Sequence, residues 1–140
     1  MRDLIIPPPV IDEMIAHCRE VYPNEACGML AGRDGSVSKL YRITNAVHSP
    51  VTYEMESKEQ FQAHRDMREQ GIAMVAIYHS HPSTVAYPSR TDISRSLWDG
   101  EPIFNDVAYV IVSLADERPV IRAFLIDGDG VKEIGIISGA

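Results

Sequence analysis

In the stretch YHSHPSTVAYPSRTDI, residues 78–93, two of the chain's five histidines stand one residue apart, a proline follows, and an aspartate closes a Ser-x-x-Asp run. Residues two apart on a strand point to the same face, so His79 and His81 present their imidazoles side by side. Pro82 cannot donate to a sheet ladder, so the chain leaves the sheet there and can loop back to bring Asp92 against the pair. Two imidazoles and one carboxylate suit zinc, and three protein ligands leave one tetrahedral position open, as in hydrolytic centres. Each residue also has an ordinary reading. A lone histidine near a strand end is usually packed or solvated, and Ser89-x-x-Asp92 before a helix is a capping box. The histidine pair tips the balance towards a metal, and a helix start is a rigid mount for a ligand carboxylate, so the two readings of Asp92 are compatible.

Hydrolysis at such a centre needs a base to take a proton from water and later hand it to the leaving amine. Spacing does not single one out: Asp12, Glu13, Glu20, Glu25, Glu54, Glu56 and Asp99 all stay open. A metal-independent hydrolase using Cys27 and a histidine is a separate possibility, and a zinc-containing binding module is another. Cys18 and Cys27 are expected as reduced thiols rather than a bridge. If the segment around Glu25 is a strand, Cys27 shares its face and could approach the metal, although a small buried hydrophobe is its ordinary reading. His17, His48 and His64 carry no comparable pattern.

The elements that would position these residues can be placed. Val10, Ile11, Met14, Ile15 and Cys18 recur at helical spacing over residues 10–22, with Pro23 as the stop. ACGMLAG and SVSKLYRITNA read as a hairpin turning at RDGS, followed by a short strand around VTYEM. SKEQFQAHRDMREQG reads as a second helix, with Ser57 as N-cap and Gly71 as terminator. IAMVAIYH is short and almost wholly apolar, which suits a central strand buried on both faces. TDISRSLWDG reads as a short helix ending at Gly100, and VAYVIVSL, PVIRAFLID and GVKEIGII read as closing strands. The fold class is α+β with antiparallel character, in one domain spanning residues 1–140.

Composition narrows the partners. A net charge of −7 argues against nucleic acid and anionic lipid as ligands. The apolar runs fall short of the ~18 residues that span a bilayer, and three prolines interrupt the N-terminal segment where a signal peptide would be apolar. A cytoplasmic protein is expected.

HSHP, six residues, then SRTD, with NEACGMLAG upstream, resembles the JAB1/MPN/Mov34 metalloenzyme (JAMM) family over nearly the whole chain. The resemblance implies a JAB/MPN (cytidine-deaminase-like) fold with a central mixed, largely antiparallel sheet flanked by helices. It implies one zinc per chain held by His79, His81 and Asp92. Glu25 would be the general acid and base, and Ser89 would help hold the scissile carbonyl oxygen as it becomes an oxyanion. The implied reaction is hydrolysis of the peptide or isopeptide bond after the C-terminal Gly-Gly of a ubiquitin-like protein. EACGMLAG, IYHSH and AYPSRTD are most similar to the bacterial members that release cysteine from a sulfur carrier protein. Trimming or deconjugation of other ubiquitin-like carriers is the alternative within the family. A Gly-Gly tail could pair with strand edges at PVTYEM and STVAY, and Tyr53 and Tyr87 could touch it.

Overall fold

A computed structural model describes residues 3–138. The chain runs from β1 (Asp3–Ile5) into α1 (Pro8–Val21), and then through the hairpin β2 (Cys27–Arg33) and β3 (Ser36–Ile43). α2 (Ser57–Gln70) leads into β4 (Ala73–His81), and α3 (Arg90–Ser96) into a small hairpin, β5 (Leu97–Trp98) and β6 (Glu101–Pro102). β7 (Ala108–Ser113), β8 (Val120–Asp127) and β9 (Gly130–Ile137) complete the order. The main sheet closes into a barrel in the order β1-β3-β2-β4-β7-β8-β9, with β1 parallel to both β3 and β9. β4 is central as expected, antiparallel to β2 and parallel to β7.

Local chemistry accounts for most boundaries. α1 starts two residues earlier than expected because Pro8 and Pro9 sit in its first turn, where a missing N–H costs nothing. Asp34 and Gly35 both take positive φ (53° and 76°) and make the tight β2–β3 turn. Gly71, at φ 67°, ends α2. Ser57 is not the N-cap: the Glu56 carboxylate accepts from the Lys58 and Glu59 amides, at 2.8 and 3.1 Å. The third helix stops at Ser96 rather than reaching Gly100, because Asp99 and Gly100 adopt positive φ and form the β5–β6 turn instead. VTYEM is not a strand, and only an isolated Asn45–Met55 bridge forms there. The Asn45 side chain takes the backbone groups a ladder would have used.

Two buried layers flank β2 and β4. On one side Leu30, Tyr78, Val110 and Val112 pack with Met14 and Cys18 of α1. On the other, Cys27, Met29 and Ala31 pack with Ala63 and Met67 of α2. Burying one such large side chain stabilises the fold by ~1.5–3 kcal/mol. The alternation fixes the faces of β4: Tyr78 and Ser80 belong to the α1 side, and Ile77, His79 and His81 to the opposite one. Among the described residues no helix is long and apolar enough to cross a membrane.

Candidate metal centre

His79 and His81 end β4 almost fully buried, at 1% and 4% exposure. Their Nε2 atoms are 3.1 Å apart, and each is 3.1 Å from Asp92 Oδ2. Among the described residues this is the group of histidines, cysteines and carboxylates placed to hold a metal ion. Asp92 reaches it from the first turn of α3, where the capping box is also formed. The Asp92 amide donates to Ser89 Oγ at 3.0 Å, and the Ser89 amide donates to Asp92 Oδ2 at 2.9 Å. Cap and prospective ligand are therefore the same oxygen.

The donor set can be tested for fit. His81 Nδ1 donates to the Val85 carbonyl at 2.7 Å, which fixes the tautomer and leaves the Nε2 lone pair facing His79 and Asp92. Lone pairs converging at this spacing repel unless a positive centre lies among them. Ligands at zinc's ~2.0–2.1 Å sit roughly 3.3 Å apart on a tetrahedron's edge, close to the spacing found. The residues fit a tetrahedral metal.

Burial pulls the His79 imidazole below its ordinary pKa, against the opposing pull of Asp92, so it is neutral as a ligand should be. Burial also acts on His81, but the bonds to Asp92 and the Val85 carbonyl outweigh it and raise its pKa. Burial would lift Asp92, yet the two imidazoles and the Ser89 amide hold its carboxyl far below the usual range.

Glu25 precedes β2 and is 3% exposed, with Oε1 buried and without a hydrogen-bond partner. Burial pushes its carboxyl up to about 8; His81 pulls the value down and Asp92 raises it. Its neighbour Ala26 is clamped to the histidine strand, donating to Ser80 Oγ at 2.8 Å and accepting from the Ser80 amide at 3.0 Å. Of the seven carboxylates open in the sequence, Glu25 is the one classed as buried.

Cys27 pairs with His79 across the β2–β4 ladder, but its thiol turns to the Ile43 carbonyl at 3.5 Å and is fully buried. Burial, with Glu59 and Glu25, pushes it up to about 12, so it remains a thiol. It behaves as a small buried hydrophobe rather than a ligand or nucleophile. Cys18 is also free and buried. His17 bonds the Tyr78 hydroxyl at 2.6 Å on the α1 side, and His48 is exposed.

Tyr53 stacks on His79 with ring centroids 4.6 Å apart, while exposed Tyr87 meets Phe124 edge-on. The expected strand edges beside the site are absent: residues 50–54 and 83–87 are irregular, and the Tyr53 carbonyl accepts from Arg95 at 2.6 Å. Sequence reasoning passed over Asn45 and Ser80. The only local signal for Asn45 is its Asx turn, in which Oδ1 accepts from the Val47 amide at 3.2 Å.

A paired-histidine strand, a capping aspartate and an unpartnered buried carboxylate define the class: a hydrolase built around a metal centre. The chain belongs to the family described as prokaryotic homologs of the JAB domain, which matches residues 7–127. It is 40% identical over 134 residues to the CysO-cysteine peptidase of Mycobacterium bovis, covering 93% of this chain and 88% of that protein. It is 32% identical over 124 residues to a Thermus thermophilus protein named "Probable TtuB-protein conjugate cleaving protease", covering 88% and 76%. The solution structure of protein DSY2949 from Desulfitobacterium hafniense superimposes with a TM-score of 0.82 at 42% identity, covering 98% of this chain and 92% of that one.

Proposed function

We propose that this chain is a cytoplasmic zinc metallopeptidase, acting as one unit over residues 1–140. It hydrolyses the bond after the C-terminal Gly-Gly of a ubiquitin-like sulfur carrier and releases cysteine. The observation that carries the reading is the triangle of His79 Nε2, His81 Nε2 and Asp92 Oδ2 at 3.1 Å, with the unpartnered Glu25 carboxyl in reach of its field. The Mycobacterium relative's name supports the substrate class. The Thermus relative's name favours a second reading, in which the bond cut joins a carrier to a protein.

His79, His81 and Asp92 would hold one zinc ion, which when bound supplies Lewis acidity towards water and a carbonyl oxygen. Glu25 does the proton work. Its Oε1 has a lone pair free to accept a proton from the attacking water, and its raised pKa suits it to hold that proton and give it to the leaving amine. Ser89 Oγ accepts from the Asp92 amide, which leaves its own proton free to donate to the developing oxyanion. A cleft lined by Thr52, Tyr53, Met55, Asp92 and Arg95 lies between α3 and the irregular 50–55 segment, and the tail enters there.

The test uses a small carrier ending in Gly-Gly with cysteine attached, and mass spectrometry of released cysteine. Turnover should stop with chelator and return with one equivalent of zinc. A chain that binds the carrier and never cleaves it would sink the peptidase reading in favour of a binding module. Cleavage of Gly-Gly-lysine isopeptides without cysteine release would favour the conjugate reading.

A further inference from the structure

Asn45, just beyond β3, is bonded on every side of its amide. It is 5% exposed. Its Nδ2 donates to the Glu25 carbonyl at 3.0 Å and to the Thr52 carbonyl at 3.1 Å. Its Oδ1 accepts from the Val47 amide at 3.2 Å and the Glu54 amide at 3.1 Å. Two donors and two lone pairs are the full capacity of a carboxamide, and all four are used. Both nitrogen partners are carbonyls and both oxygen partners are N–H groups, so only this orientation of the amide satisfies them.

These partners bear on the chemistry. The Thr52 carbonyl and Glu54 amide flank Tyr53, whose ring covers His79. The Glu25 carbonyl belongs to the residue whose carboxyl Oε1 has no hydrogen-bond partner among the described residues to orient it. A turn-forming asparagine needs only the Val47 bond. The other three bonds tie one wall of the metal centre to the proton-transfer residue.

We propose that Asn45 is a positioning residue that fixes the backbone carrying Glu25 relative to the Tyr53–His79 wall, so that the two keep their separation as substrate enters and product leaves. The inference rests on Glu25 being the acid and base of the proposed reaction. Asn45 touches no reacting atom, so its effect must run through Glu25.

The decisive measurement is a double-mutant cycle. Asn45→Ala should keep about one zinc per chain and change KM by less than about threefold. It should lower kcat ~10–100-fold, the scale of a small misplacement. In a Glu25→Gln background the same substitution should cost less than about threefold, because nothing remains to position. Equal losses in both backgrounds, or loss of zinc, would overturn the proposal and leave Asn45 a structural residue. Wild-type activity in Glu25→Gln alone would instead overturn the choice of base. If Asn45→Ala fails to fold, Asn45→Ser, which removes the carboxamide without adding a charge, gives the same pair of ratios. Hydrogen exchange on the unmodified protein tests the clamp directly: the Val47 and Glu54 amides, on exposed residues, should be protected at least ~10-fold relative to open loops. Exchange at the open-loop rate would also overturn the proposal.

Discussion

The imidazole of His79 lies against the ring of Tyr53, with the two planes inclined by 29°. This contact covers one face of the His79 ring, whose buried Nδ1 has no hydrogen-bond partner among the described residues to orient it. Packing therefore does for His79 what the Val85 carbonyl does for His81. Supporting contacts of this kind typically carry ~10–100-fold in metal affinity. Tyr53→Ala should weaken zinc binding by that order in a chelator competition, and Tyr53→Phe, which keeps the stack, should not. Unchanged affinity in Tyr53→Ala would make the stack incidental.

Ser89 has two duties that can be separated. Its Oγ caps α3 by accepting the Asp92 amide, and its proton is assigned to the oxyanion. Replacing an N-cap serine with alanine costs ~1 kcal/mol, but replacing it with glycine costs only a few tenths. An oxyanion donor is worth ~10²–10³ in rate. Ser89→Gly should then keep its melting temperature and zinc while losing kcat by about that factor. A rate loss that merely follows the stability loss across the glycine and alanine variants would leave Ser89 with the cap alone.

What the sequence made legible follows from how local each signal is. His79, His81, Pro82, Ser89 and Asp92 lie within one run, and the period-2 rule with a helix cap places all of them. The β2–β3 turn and the end of α2 rest on single residues with positive φ. β1 gave no such signal, because three residues have no period and its ladder partners in β9 lie at the far end of the chain. The Trp98–Asp99–Gly100 run was legible only as a helix end, and Asp99 and Gly100 form a hairpin turn instead. Choosing Glu25 among seven carboxylates needed either the family motif or the burial that long-range packing creates. Asn45 was invisible because its partners Glu25, Thr52 and Glu54 meet only in the fold.

Gly28 sits where β2 passes Tyr78. A Cβ there would collide with the Tyr78 ring and with the Tyr41 carbonyl oxygen. The ring has little freedom to swing away, since Tyr78 is fully buried and its hydroxyl is bonded to His17. Gly28→Ala should cost ~1–3 kcal/mol by overpacking, seen as a lower urea midpoint with an unchanged m-value. A midpoint equal to wild type would mean that β2 shifts without cost.

Glu25 gives the sharpest prediction because stability and catalysis pull in opposite directions. In the metal-free protein burial raises its carboxyl from an ordinary 4.5 to about 8. Between those values the unfolded chain has released the proton and the folded chain has kept it, so the unfolded state binds fewer protons and stability falls as pH rises. The contribution is intact below the unfolded value, declines at up to ~1.4 kcal/mol per pH unit, and levels off above the folded value. Glutamine mimics the protonated carboxyl and does not titrate. Metal-free Glu25→Gln should therefore match wild type near pH 4 and be the more stable protein at pH 8, as read from urea midpoints at each pH. Zinc content should be nearly unchanged, since Glu25 is outside the His79–His81–Asp92 group. Its kcat should fall ~10²–10⁴-fold or more, because in the proposed mechanism one carboxyl serves both proton transfers. A variant that is stabilised at pH 8, loads zinc and yet keeps above about a tenth of the wild-type rate would show that the buried carboxyl is real and that the base is another group.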